Sequence, residues 1–273
     1  MKRWLWMATV VVSMSWGAAH AAPAAMHDDT AAEIVAHAGD HRLILLGEFH
    51  GTVETPLLVS ELVELYSRND VPVRLALELP KSENGALARY LRSAGDASAR
   101  EALRQSPFWL VNDDQHDGRR SRDMLALIET VRSLRQQGRD VGVTGYDQES
   151  TAGGGNDARD ALMAAHLRQQ FIALPATARM LALTGNVHAM RQRPADAPPE
   201  MQQRPMASHL LDLPLYSVRL QALEGEFWGC AQPCRPIALH PIGRRAPFAD
   251  AAPDRQYDLV IWMPKLSVAT LTD

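Results

Sequence analysis

Cysteine is nearly absent from this sequence: Cys230 and Cys234 are the only two. That excludes a disulfide-dense miniature fold and any multi-cysteine cluster. Lysine is almost as rare, with Lys2, Lys81 and Lys265 the only three among 28 basic residues. Basic excess is missing altogether. A formal charge of −4 argues against a nucleic-acid partner, because phosphate binding needs a concentrated basic surface. Aromatics make up only 6%, and no apolar run of about 18 residues follows the N-terminus, so no integral membrane segment is expected there. What is present suffices for one large core: 46% hydrophobic residues over 273 positions.

The first residues read as an export signal. Lys2 and Arg3 form a positive start, Trp4 to Trp16 a mostly apolar core, and Ala19-His20-Ala21 a small-residue cleavage site. Cleavage after Ala21 leaves 252 residues, and loss of Lys2 and Arg3 takes the formal charge from −4 to −6. A periplasmic or secreted protein, from a Gram-negative bacterium, is the expectation. In an oxidising compartment Cys230-Ala-Gln-Pro-Cys234 is most simply a disulfide. A half zinc site is the alternative, but no second ligand pair lies nearby.

Along the chain, strand and helix patterns alternate. Residues 22–40 are Ala-rich and polar and read as a flexible segment. Leu43-Ile44-Leu45-Leu46, Val73 to Leu79, Val141 to Gly145 and Met180 to Thr184 are short apolar runs of the kind buried in parallel sheets. Helical spacing follows Thr55-Pro56 and recurs near 84–94, 98–105, 119–137 and 157–173. Further strands are expected at 215–222, 236–240 and 257–263. The expectation is an α/β fold: a largely parallel central sheet flanked by helices, with a helical insertion near 84–137 and a β-rich C-terminal part, forming one domain over 41–273.

Ligands in such sheets bind beyond the carboxyl ends of strands. Those ends deliver Gly47-Glu48-Phe49-His50-Gly51, then Glu78, then Tyr146 and Asp147, then Gly185-Asn186-Val187-His188-Ala189. Two Gly-x-x-His segments and three carboxylates thus converge from four strands. Glu48 and His50, two apart in extended chain, can face the same way. His50 suits a general base whose tautomer is held by Glu48 or Glu78. His50, His188 and Glu48 also suit an open divalent transition-metal site that activates water.

The two motifs, with Leu75-Ala76-Leu77-Glu78 between them, the stretch from Trp109 through Asp117-Gly118-Arg119-Arg120-Ser121, and Tyr257-Asp258, resemble the haem-binding uptake, Tiki and erythromycin esterase-like superfamily. The resemblance spans about 43–264 and is closest to the ChaN-like branch. It implies a hydrolase of ester or peptide bonds using His50, Glu48, Glu78 and His188, with His188 as second ligand or oxyanion stabiliser. The ChaN-like branch implies instead a haem-binding protein of iron uptake without turnover. The esterase branch carries an extra residue before its histidine that Gly-Glu-Phe-His lacks, and ChaN proteins often have Asp where this chain has Gly51.

Asn186, Asp147, Tyr146, Trp109 and Arg119 are the candidate substrate contacts, for a small molecule, a peptide or haem. Tyr66, Tyr146, Met201 and Met206 are further possible haem contacts, more simply read as packing. Asp113-Asp114-Gln115-His116-Asp117-Gly118 only faintly resembles a calcium loop and reads as solvated. Arg119, Arg120 and Arg122 read as an exposed helix start, and Gly153-Gly154-Gly155 as a linker.

Overall fold

The computed structural model describes residues 24–110, 116–148, 155–197, 203–230, 233–241, 243, 248–250 and 256–272. The leader 1–21, Asp113-Asp114-Gln115, Gly153-Gly154 and Met201 lie outside them.

Each apolar run forms a strand. They are β1 (Leu43–Glu48), β2 (Val73–Pro80), β3 (Val141–Asp147), β4 (Arg179–Gly185) and β5 (Leu215–Ala222), joined later by β9 (Leu259–Met263). These six run parallel in the order β3-β2-β4-β1-β5-β9, and a short antiparallel edge, β8 (Phe248–Asp250), completes the sheet. Both faces are covered, which is why the strands are apolar throughout instead of alternating. Ile44, Leu46, Leu75 and Leu77 pack with the helices α2 (Glu54–Tyr66) and α5 (Arg122–Gln136). Leu43, Leu45, Ala76 and Met180 point the other way, onto Met163, Leu167 and Phe171 of α6 (Gly155–Ile172).

The expected helical insertion is α3 (Asn84–Arg92), α4 (Ala97–Arg104) and α5, lying between β2 and β3. The segment 22–40 differs from expectation. It carries helix α1 (Ala24–Ala38), because Ala31, Ile34 and Ala38 form one apolar stripe and are fully buried. The β-rich C-terminal part includes a separate two-stranded hairpin, β6 (Glu226–Cys230) and β7 (Cys234–Ala238), closed by the expected Cys230–Cys234 disulfide. No helix among the described residues is long and apolar enough to cross a membrane.

Two features position the site. Strands β1 and β4 are neighbours, yet the connection after β1 supplies α2 on one face while that after β4 supplies Met206 and Leu210 on the other. The crevice between two such diverging connections is where an open α/β sheet takes its ligand. The second feature is a strap formed by residues 266–272. Ala269 N and Ser267 O bond Gly51 O and Val53 N, while Thr270 O and Thr272 N bond Arg122 N and Arg120 O.

Candidate active site

Glycine explains how the two motifs meet. A Cβ on Gly47 would come within 2.8 Å of the Ala189 Cβ and 3.1 Å of the Asn186 Cα, so only glycine lets the two loops touch. A Cβ on Gly185 would lie 3.2 Å from His50 Nε2 and 3.4 Å from His188 Cδ2. The bare backbone there makes room for both imidazoles. The glycines of Gly-x-x-His therefore serve close approach between β1 and β4.

His50 is gripped by two carboxylates. Its Nδ1 lies 3.0 Å from Glu48 Oε1, and its Nε2 lies 3.7 Å from Glu78 Oε2. Burial opposes charge on the imidazole, but the adjacent Glu78 and Glu48 outweigh it and push His50 up to about 10. Glu48 is almost fully buried, and desolvation raises its carboxyl above the usual range. Glu78 is equally buried, and burial again disfavours its charge, yet His50 above all, with the neighbouring His188 and Arg119, holds it well below that range. Its oxygens are fully used. Oε2 accepts from Thr184 Oγ1 (2.9 Å) and Gly185 N (2.7 Å), and Oε1 from Arg159 Nη2 (2.7 Å) and Arg119 Nη1 (3.2 Å). A buried carboxylate with this many donors stays ionised.

Of the two arginines at the site, Arg159 was not legible as a site residue. Arg119, expected at an exposed helix start though also named as a substrate contact, is mostly buried and joins Asp117 (2.5 Å), Glu78 and Asp147 (3.3 Å). Asp117 is likewise no solvated loop residue. Burial works against its charge, but Arg119 and Arg120 hold its carboxyl far below the ordinary range. Arg159, from the first turns of α6, reaches Glu78, Asp147 Oδ2 at 2.6 Å, and His188 Nε2 at 3.0 Å. Its neighbour Asp160, fully buried, takes His188 Nδ1. A guanidinium can only donate, so His188 Nε2 is the acceptor and the proton sits on Nδ1, toward Asp160.

That geometry corrects two expectations for His188. An Nε2 facing a guanidinium neither donates to an oxyanion nor offers its lone pair to a metal. Glu48 is already spent on His50. No group of three His, Cys, Asp or Glu side chains placed to hold a metal occurs among the described residues, so the set His50, His188 and Glu48 does not fit a metal centre.

A cavity of about 320 Å³ opens over the histidines, within the usual range of small-molecule sites. Glu48, His50, Asp117, Asn186 and His188 face Phe49 and Val187 and one strand of the hairpin, Phe227 to Cys230. A larger hollow, about 500 Å³, lies between α4 and α5 and contains none of the strand-end residues. Of the candidate substrate contacts only Asn186 lines the cavity. Asp147 and Arg119 instead belong to the ionic cluster. Tyr146 is fully buried and donates to Leu183 O at 3.0 Å, because it points into the α6-side core. Trp109 packs edge-on against Phe108 in the core on the opposite face. The possible haem contacts Tyr66 and Met206 are also core residues.

Gly51 sets the cavity's corner. Its φ is +67°, and a Cβ there would collide with the Trp228 Cβ and sit 2.9 Å from Gly118 Cα, itself at φ +86°. Gly51→Ala is therefore expected to destabilise the fold by on the order of 3 kcal/mol, combining left-handed strain with overpacking. Urea unfolding checks this, and a loss below about 1 kcal/mol contradicts it.

No family model matches the chain, and no curated protein does. Solved structures do match. An erythromycin esterase, EreC, in its open conformation aligns with a TM-score of 0.66 at 13% identity, covering 89% of this chain and 95% of that one. A Bacillus cereus protein aligns at 0.60 and 12%, covering 90% and 94%. A succinoglycan biosynthesis protein aligns at 0.59 and 10%, covering 88% and 92%. The chain thus has the fold of the erythromycin esterase, the fold that its paired Gly-x-x-His motifs led us to expect.

Proposed function

We propose that this protein is an exported hydrolase of ester bonds in which His50 receives the proton of the attacking water. The carrying observation is His50 itself: it lines the cavity while Glu48 fixes its Nδ1 at 3.0 Å. With Nδ1–H directed at Glu48, the working form presents an Nε2 lone pair. The water oxygen bonds to the ester carbonyl carbon as its proton passes to Nε2. The same proton then moves to the departing alkoxide as the C–O bond breaks, releasing acid and alcohol. Glu48 and Glu78 stabilise the transient imidazolium, and Asn186, lining the cavity, is the candidate partner of the carbonyl oxygen. The cystine supports export, since such bonds persist in oxidising compartments.

Hydrolysis of p-nitrophenyl esters by the native chain, reduced to background in His50→Gln, is the expected result. Equal rates in both proteins overturn the reading. Haemin titrated into the same preparation tests the carrier alternative. A Soret shift at micromolar protein without ester turnover would replace hydrolysis by haem carriage.

A further inference from the structure

We propose that the disulfide-closed hairpin β6–β7 is the element that selects the substrate, and that it admits esters of apolar, uncharged acids while disfavouring anionic ones. This rests on the hydrolase reading and names its substrate class. The hairpin is a sheet of its own, in register from Glu226↔Ala238 to Cys230↔Cys234, and separate from the central sheet. An isolated two-stranded hairpin is marginal in water. Here both ends are fastened. The cystine joins the paired residues at the tip. Nearer the root, Trp228 N donates to Gly51 O at 3.2 Å, and Trp228 Nε1 donates to His116 O. Trp228 is thus bonded both to the loop that carries His50 and to the one that leads into Asp117.

Rigidity matters because of what the strand presents. Phe227 packs on Phe49 with ring centroids 4.8 Å apart, and Gly229 leaves room for it, since a Cβ there would come 2.9 Å from Phe227 Cε2. Phe227, Trp228 and Cys230 make one apolar wall, Phe49 and Val187 another, and the catalytic pair Glu48–His50 lies at the same cavity. A scissile ester at His50 therefore places its acyl group against aromatic and cystine surface. Glu48 and Asp117 are the acidic groups lining the same space, and the arginines around it are already committed to carboxylates, Arg119 and Arg120 to Asp117, and Arg119 and Arg159 to Glu78 and Asp147. Among the described residues lining the cavity, His50 is the group that carries positive charge, and it is already flanked by Glu48 and Glu78. An added substrate carboxylate would meet Glu48 and Asp117 without a new cationic partner.

The test is steady-state kinetics of the oxidised full chain on p-nitrophenyl acetate, hexanoate, phenylacetate and hemisuccinate. We expect kcat/KM for hexanoate and phenylacetate to exceed that for acetate, and hemisuccinate to be the poorest. In Phe227→Ala the phenylacetate-to-acetate ratio should fall about tenfold, through KM. The Cys230→Ser/Cys234→Ser double variant should shift the ratio in the same direction, and Phe227→Leu should restore most of the hexanoate preference. An unchanged ratio in Phe227→Ala and in the double variant overturns the proposal, as does hemisuccinate being the best substrate. If the native chain hydrolyses none of the four, the hydrolase reading fails alone. The hairpin is then judged by calorimetry with phenylacetamide. Binding weakened about tenfold in Phe227→Ala upholds the wall, and equal affinity, or none in the native chain, removes it.

Discussion

Ester hydrolysis should rise about tenfold per pH unit from pH 7 and level off near pH 10. The base needs an unprotonated Nε2, and His50 holds its second proton up to about 10 because Glu78 and Glu48 flank it. At neutrality only a small fraction is competent, and that fraction grows with each unit until the imidazolium is titrated. His50→Gln, subtracted at every pH, removes the hydroxide background and should itself cost on the order of 100-fold or more at pH 9. Glu78→Gln removes the charge that raises His50 most, so the break should move down toward the ordinary histidine value. A rate independent of pH between 6 and 9 would sink this assignment. The same shift carries a stability signature of fixed sign. A histidine whose folded value lies above its unfolded one stabilises fully below about 6.5, and loses that contribution as pH rises through about 10. Activity should therefore climb over the range in which resistance to urea declines.

Arg159→Met should cost about 3–5 kcal/mol, the range for removing one partner of a buried ion pair. The guanidinium bonds Glu78 at 2.7 Å, Asp147 at 2.6 Å through Nη2 and 3.1 Å through Nε, and His188 at 3.0 Å. Without it two nearly inaccessible carboxylates share one guanidinium, Arg119, with His50 beside Glu78, and His188 Nε2 loses its donor. Arg159→Lys should recover little, since one ammonium cannot reproduce a planar fork reaching three partners. Urea unfolding at several pH values reads both effects. In the native chain Glu78 sits well below 4.5, so its stabilising contribution is present above 4.5 and is lost as pH falls through that depressed value. The variant has less to lose, and its deficit should shrink below pH 4.5. A deficit under 1 kcal/mol at neutral pH would show that the cluster is not held by Arg159.

The strands were legible because burial on both faces removes polar residues from them, and the four apolar runs carried their Glu48, Glu78, Asp147 and His188 endings with them. Arg159 and Asp160 were missed because attention to strand ends passes over helices. Yet a helix following β3 must begin at the same sheet edge, and Asp157-Ala158-Arg159-Asp160 in its first turns was the available signal. Helix α1 was missed because alanine gives weak contrast, although Ala31, Ile34 and Ala38 already recur at helical spacing. Strand β6 offered no alternation: Glu226-Phe227-Trp228-Gly229-Cys230 is half exposed along its length. Its role comes from packing on Gly51 and Gly118, which no local pattern encodes. Tyr146 and Trp109 erred the other way, since an aromatic near a motif is more often core.

The strap over residues 266–272 bears on when the proposed site can be completed. It bonds to Gly51 and Val53 beside the first histidine and to Arg120 and Arg122 beside the second loop, more than half the sequence earlier. Contacts of such long sequence separation close late in folding. During synthesis the sheet strands up to β5 can find one another well before these residues emerge, so a partly made chain has its scaffold but lacks the clasp that holds the reactive corner together. On the proposed reading, hydrolysis is in this sense silent until the strap is made.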